Sequence, residues 1–339
     1  MAGSGTAHLR TDDDVLLGVR NLTVEYRGKG NERVYAVSDV SFDARRGETV
    51  GLVGESGCGK SSAAKSIMQL PPPTSGSVTL DGVEIVGLGG SEMRRQRGKL
   101  QMIFQDPISS LNPLRRVEDI VAEGLRIQGN LTKSEIIART RAMIERVGLD
   151  PDTASDRRPH EFSGGQCQRI SIARAMVLDP EIVICDEPVS ALDVLVQAQI
   201  INLLKEMRDR YQLTLVFIAH DLAVVKNLSD RVVVMYLGKV CEVAATEELF
   251  SSPVHPYTRA LINSVPEPDP TAPASQAQLQ GDLPSPMNPP SGCRFRTRCP
   301  STQDRCVTEE PEIREIRPGH FAACHYPHVD GQPVKTLGE

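Results

Sequence analysis

From residue 16 to residue 53, apolar and polar positions alternate in short runs broken by Gly28, Gly30 and Gly47. A period of two marks half-buried antiparallel strands, because successive side chains leave a strand on opposite faces. Residues 48–53 turn largely apolar and run into a glycine-rich stretch, after which residues 60–70 take helical spacing. The pattern predicts strand, loop and helix in succession. Pro71-Pro72-Pro73 ends that helix, since proline lacks an N–H and disfavours a helical predecessor. A further strand is expected over 98–104, closing at Gln105.

Residues 112–158 read as helical, with apolar residues at Ile136, Ile137, Met143, Ile144 and Val147. Ser163 reads as a helix N-cap, with Gly164 and Gly165 in the first turn and Ile170, Ala173 and Val177 beyond. Buried strands are expected over 182–185, 214–219 and 231–237. Strands alternating with helices predict a parallel α/β sheet with helices on both faces. At Pro266 the character changes: residues 266–292 are rich in Pro, Ser, Gln and Ala and read as a linker or wrapping arm.

Composition narrows the class. The 339 residues suffice for one large domain with an appendage, or two modest domains. With 40% apolar and 24% charged residues the chain fits a soluble globular protein, and a net charge of −6 gives no reason to expect nucleic acid. No apolar run approaches the roughly 18 residues of a membrane span. Residues 1–14 are polar and lack the apolar core of a secretion signal, so a disordered tail and a cytoplasmic protein are expected.

The candidate chemistry sits at the predicted loop ends. Gly54-Glu55-Ser56-Gly57-Cys58-Gly59-Lys60-Ser61 fits G-x-x-x-x-G-K-S between a strand and a helix. Glycines let backbone N–H groups curl around phosphates, and the helix N-terminus adds partial positive charge. Lys60 brings a point charge to the β- and γ-phosphates, Ser61 a hydroxyl for Mg²⁺, and Ser62 a contact to the α-phosphate. Asp186, at the end of its strand, is placed to hold Mg²⁺, and Glu187 to polarise an attacking water. Gln105 ends its own strand and can reach metal or water. His220 ends another and can bond a γ-phosphate or that water. Ser163, Gly164, Gly165 and Gln166 form a second anion-binding tip. One ATP needs one such tip, so the surplus implies a second subunit whose ATP this chain completes.

Together these residues resemble the ATPase subunit of ABC transporters. The resemblance spans residues 15–265, with the Walker A loop (54–61), Q-loop Gln105, signature Phe162-Ser163-Gly164-Gly165-Gln166, Walker B (182–186), Glu187, the D-loop Ser190-Ala191-Leu192-Asp193 and H-loop His220. Phe162 replaces the usual leucine. Tyr26 stands where such proteins stack an aromatic on adenine, with Tyr35 as a rival. The implied fold is α/β: a P-loop NTPase (RecA-like) core with an antiparallel β-subdomain, an inserted α-helical subdomain over about 106–165, and a C-terminal extension over 266–339. Also implied is a head-to-tail nucleotide sandwich with a second ATPase.

Pro188-Val189-Ser190-Ala191-Leu192-Asp193, His255-Pro256-Tyr257-Thr258 and Pro286-Met287-Asn288-Pro289-Pro290-Ser291-Gly292-Cys293 are similar to the oligopeptide/dipeptide/nickel importers, and within them to the second, F-type ATPase. That implies a distinct partner ATPase, two transmembrane permease subunits, an extracytoplasmic peptide-binding protein and a peripheral place on the cytoplasmic membrane face. A soluble ABC ATPase in assembly or iron–sulfur handling is the rival reading.

Of eight cysteines, Cys293, Cys299, Cys306 and Cys324 cluster near the C-terminus. In a cytosolic protein such a cluster points to metal before disulfide. Four thiolates can hold Zn²⁺ or a [4Fe–4S] cluster, with His325 as a substitute ligand. Paired C-x2–4-C knuckles typical of zinc are absent, and free thiols or a disulfide stay open. The importers this chain resembles imply [4Fe–4S]. Arg294, Arg296, Arg298 and Arg305 are expected to offset the thiolate charge.

Overall fold

The computed structural model describes residues 5–28, 32–264, 281–329 and 332–333. The chain divides into two compact units. One takes the chain up to Arg45, Thr49–Val86 and the chain from His220 onward; the other takes Arg46–Glu48 and Gly87–Ala219.

The first unit opens with strands β1 (Val15–Arg27) and β2 (Arg33–Arg45), paired antiparallel. β3 (Thr49–Val53) is buried at all five positions and leads through the glycine loop into α1 (Lys60–Ile67). β4 (Ser75–Leu80) lies antiparallel on the other edge of β1, and the short β5 (Val83–Glu84) on β4. β1 and β2 do not keep the expected alternation: residues 16–19 and 40–44 are buried in unbroken runs.

The second unit runs α2 (Gly90–Lys99), β6 (Leu100–Ile103), α3 (Val117–Gln128), α4 (Lys133–Arg146), α5 (Pro151–Ala154), α6 (Gly164–Met176), β7 (Ile182–Asp186), α7 (Val194–Tyr211) and β8 (Thr214–Ala219). β6, β7 and β8 are parallel, with Ile103 beside Cys185 and Asp186 beside Ile218. β7 and β8 are buried throughout.

The chain then returns to the first unit with α8 (Leu222–Leu228), β9 (Arg231–Tyr236), β10 (Lys239–Ala245), α9 (Thr246–Ser251) and α10 (Pro256–Asn263). β9 is parallel to β3 and turns back antiparallel into β10. After α11 (Asp304–Thr308), strands β11 (Arg314–Arg317) and β12 (His320–Ala322) add to the edge at β10. The buried Glu242 carboxylate on β10 fastens this addition. It accepts from the N–H groups of Val254 and His255, each at 2.8 Å, and from Nε2 of His320 on β12 at 2.6 Å. A buried carboxylate is tolerable only when so satisfied.

Three further expectations change. The tail expected to be disordered is packed where described: His8 is 3% exposed and its Nε2 donates to Ser41 O at 2.7 Å, while Arg10 pairs with Asp43 at 2.6 Å. These are tertiary contacts that no local periodicity announces; residues 1–4 lie outside the described residues. The strand expected from residue 98 begins at Leu100, because Gly98 and Lys99 finish α2, a helix too polar to show a period. The strand expected to include Leu237 ends at Tyr236, and Leu237 turns with φ 45°. Much of the proline-rich stretch, residues 265–280, lies outside the described residues.

Candidate nucleotide-binding site

β3 ends at Val53 and the phosphate loop begins at once. Gly54 has φ 152°, and a Cβ there would stand 2.1 Å from Met235 O; Gly59 has φ 104°, and a Cβ there would stand 2.1 Å from Ala36 O. Both positions exclude any side chain. Ser56 and Gly57 form the exposed crown of the loop, and Cys58 is buried beneath it, its thiol pushed up by burial and pulled partly back by Lys60. Lys60 is 4% exposed, and its ammonium donates to Gly54 O at 2.7 Å and Glu55 O at 3.0 Å. α1 has no side-chain cap and no acidic residue in its first turn, where Ser61 and Ser62 follow Lys60. The N-terminus of such a helix carries partial positive charge, which favours an anion.

In the second unit, Asp186 is the last residue of β7 and 1% exposed. Glu187 takes a left-handed φ of 46°, and its N–H donates to Ile218 O at 3.0 Å, tying it to β8. Gln105, just beyond β6, donates through Nε2 to Glu187 Oε2 at 3.3 Å. The ends of β6 and β7 thus bring together two residues named from sequence. His220 directly follows β8 and is exposed.

Ser163 caps α6 in a reciprocal box: its hydroxyl accepts from Gln166 N–H at 3.3 Å, and Gln166 Oε1 accepts from Ser163 N–H at 2.9 Å. Arg157 lies over the Phe162 ring at 4.4 Å, so the aromatic in place of leucine is used for stacking. A Cβ on Gly165 would come within 2.5 Å of Val196 Cγ1, and one on Gly164 within 3.5 Å of Leu192. The start of α7, capped by Asp193, therefore packs against this tip. On the β1–β2 hairpin, Tyr26 pairs with Val34 and Tyr35 with Glu25, which puts the two tyrosines on opposite faces.

Comparison with known proteins places the chain in a family. The family described as ABC transporter matches residues 37–190, and that described as oligopeptide/dipeptide transporter, C-terminal region, matches residues 241–306. A Brucella ovis protein provisionally named a peptide import ATP-binding protein is 52% identical over 309 residues, covering 91% of this chain and 97% of that one. The oligopeptide transport ATP-binding protein OppF of Haemophilus influenzae is 47% identical over 322 residues, covering 92% and 97%. The chain belongs to the ABC transporter ATPases. Among solved structures, the dimeric ATP-binding cassette MJ0796 bound to ADP and Pi aligns with a TM-score of 0.62 at 30% identity, covering 68% of this chain and 98% of that one. CbiO1 of Clostridium perfringens, part of the transporter complex CbiONQ, aligns at 0.61 and 28% identity, covering 70% and 91%. The P-loop NTPase core with its antiparallel β-subdomain is accordingly the fold of this ABC ATPase, and ATP and Mg²⁺ are the ligands its family uses.

The C-terminal part of this ABC ATPase gathers its cysteines as well. Cys293, Cys299, Cys306 and Cys324 line one small cavity with Phe295 and His325. Among the described residues, no three His, Cys, Asp or Glu side chains are grouped so that they could hold a metal ion. Burial pushes the Cys293 thiol up to about 11, and those of Cys299 and Cys324 upward. The surrounding arginines have other partners than expected. Arg294 donates to Leu237 O and Ser38 Oγ, Arg296 to Ser291 O, Arg305 to Glu309, and Arg298 to Glu55 of the phosphate loop. His325 Nε2 donates to Glu309 O at 3.0 Å. Sequence reasoning missed Glu55 and gave Arg298 the wrong neighbour, since nothing local links the two.

Proposed function

We propose that this chain is the ATP-hydrolysing subunit of a membrane importer for di- and oligopeptides. The observation that carries the reading is the conjunction of a complete nucleotide-binding cassette with a C-terminal region matched by the oligopeptide/dipeptide transporter family. The high identity to OppF over nearly the whole chain supports it, and nothing comparable supports a soluble assembly factor.

In this reading the backbone N–H groups of Gly57 to Ser61 cradle the β-phosphate, Lys60 turns its ammonium to the γ-phosphate, Ser62 touches the α-phosphate, and Tyr26 stacks on adenine. The Ser61 hydroxyl and the Asp186 carboxylate, with Gln105, are hard oxygen donors suited to Mg²⁺. Bound Mg²⁺ supplies charge neutralisation to the phosphates. Glu187 orients the attacking water, and its contact with Gln105 supports that role, because one amide can hold the carboxylate while sensing the metal. His220 bonds the γ-phosphate. Ser163, Gly164, Gly165 and Gln166 complete the ATP of a second, distinct ATPase, whose own tip completes the ATP held here. Two permease subunits and an extracytoplasmic binding protein make up the rest of the complex, with this chain on the cytoplasmic membrane face.

The four cysteines line one cavity and are thiolate ligands of the kind a [4Fe–4S] cluster uses, with zinc as the alternative. Such a cluster would hold the extension together. Anaerobic purification tests this: stoichiometric iron and sulfide with absorption near 400 nm is expected, and colourless protein with one zinc would overturn it. The transport reading is tested by co-purification and vesicle reconstitution. Two polytopic subunits, a second ATPase and ATP-dependent peptide uptake are expected; a soluble chain without membrane companions would overturn it.

A further inference from the structure

The phosphate loop is held from outside the cassette core. Arg298, next in sequence to Cys299, grips Glu55, the second residue of the loop, in a two-pronged contact. Nη1 lies 2.6 Å from Oε2, and Nη2 lies 3.1 Å from Oε1. The arginine side chain is 5% exposed and the glutamate side chain 25%. The guanidinium also sits 5.9 Å from the Tyr236 ring centroid. Glu55 is caught at its backbone too, its N–H donating to the Tyr257 hydroxyl at 2.9 Å. Behind these contacts Tyr236, Tyr257 and Phe295 pack on one another, with ring centroids 4.8 to 5.3 Å apart. Arg298 is itself set by its N–H donating to Phe295 O at 2.9 Å.

A glutamate in a loop built for polyphosphate is an electrostatic liability. Its carboxylate repels the ligand, and the repulsion grows with each phosphate charge. A bidentate arginine cancels that charge and fixes the carboxylate in one orientation, which a lysine does less well. The contact joins residues 243 positions apart in sequence, so it exists only when the C-terminal extension is folded onto the loop.

We propose that Arg298 is a positioning residue for nucleotide binding: through it the C-terminal extension neutralises and orients Glu55, and so sets the affinity of the phosphate loop for ATP. This rests on the nucleotide-binding reading of residues 54–61 and not on what the four cysteines hold. Because ATP carries more charge than ADP, dependence on Arg298 is greater for ATP.

The test measures fluorescent mant-MgATP and mant-MgADP affinity of the full-length chain in wild type, R298Q, R298K and E55Q/R298Q, with thermal unfolding alongside. R298Q is expected to weaken MgATP about tenfold, and MgADP by less. Adding E55Q is expected to recover most of the loss, because it removes the charge that Arg298 offsets; a role in packing alone would not give that rescue. Unchanged MgATP affinity in R298Q would overturn the proposal, as would equal weakness of R298Q and the double variant. R298K, which keeps the charge, is expected to lose less than R298Q; should R298Q fail to fold, the uncharged R298M decides: weakened MgATP with a smaller loss for MgADP supports the proposal, and wild-type affinity for both overturns it. Wild-type chain that binds neither nucleotide would overturn the reading of the loop itself, and the proposal with it.

Discussion

The helices that follow the two glycine-rich runs read from the sequence, α1 and α6, are capped in different ways. α1 is capped by Gly59 in a left-handed conformation, with no side chain at the cap position and no acid in its first turn. α6 is capped by Ser163, and Gln166 closes the box, so the tip satisfies itself. A helix N-terminus without a capping side chain favours an anion. One closed by its own capping box keeps its shape without a ligand, as the proposed docking on a second subunit's nucleotide requires. In the function proposed above, the same glycine-rich chemistry is divided between a loop that binds and a tip that completes.

The largest expected effect comes from altering the glycine-capped end. Gly59→Ala places a Cβ against Ala36 O in a left-handed backbone, and measurable MgATP binding should vanish in a fluorescence titration. Retained affinity would mean that the loop does not need its observed form. Next, Glu187→Gln should keep MgATP binding while steady-state turnover of the assembled complex falls about 10²–10³-fold. Equal turnover would remove Glu187 from the reaction.

Ser163→Ala probes the other helix end. Loss of the cap should lower stability by about 1 kcal/mol in urea unfolding, and turnover of the complex should drop while the chain on its own still binds MgATP. If MgATP binding by the isolated chain weakened as well, both helix ends would serve one nucleotide and the division of labour would fail. The smallest change is expected from Thr132→Ala. Thr132 and Glu135 form a box of the same kind on α4, away from either glycine tip in sequence. It should cost at most about 1 kcal/mol and leave nucleotide binding alone, showing what a cap is worth where no ligand is involved.

Most of this site could be read from the sequence because its chemistry is local. The phosphate loop is eight consecutive residues, and the strand-end carboxylates follow runs that are buried from end to end. β10 escaped notice because its pattern includes Glu242, a buried carboxylate whose partners Val254, His255 and His320 come from elsewhere. α2 escaped because it has almost no apolar face to give it a period. The ordered N-terminal segment escaped because a buried histidine and the ion pairs Arg10–Asp43 and Asp12–Arg45 hold it, and none of these is periodic.

The sequence by itself determined the phosphate loop, the carboxylate pair, the second glycine tip and the four-cysteine tail, since each is a short run whose backbone needs and side-chain chemistry travel together. Only the tertiary structure decided which arginine meets which acid. Arg298 was expected beside thiolates and stands instead on Glu55, because an ion pair is chosen by what the folded chain brings within 3 Å or so, and no local rule reaches across 243 residues.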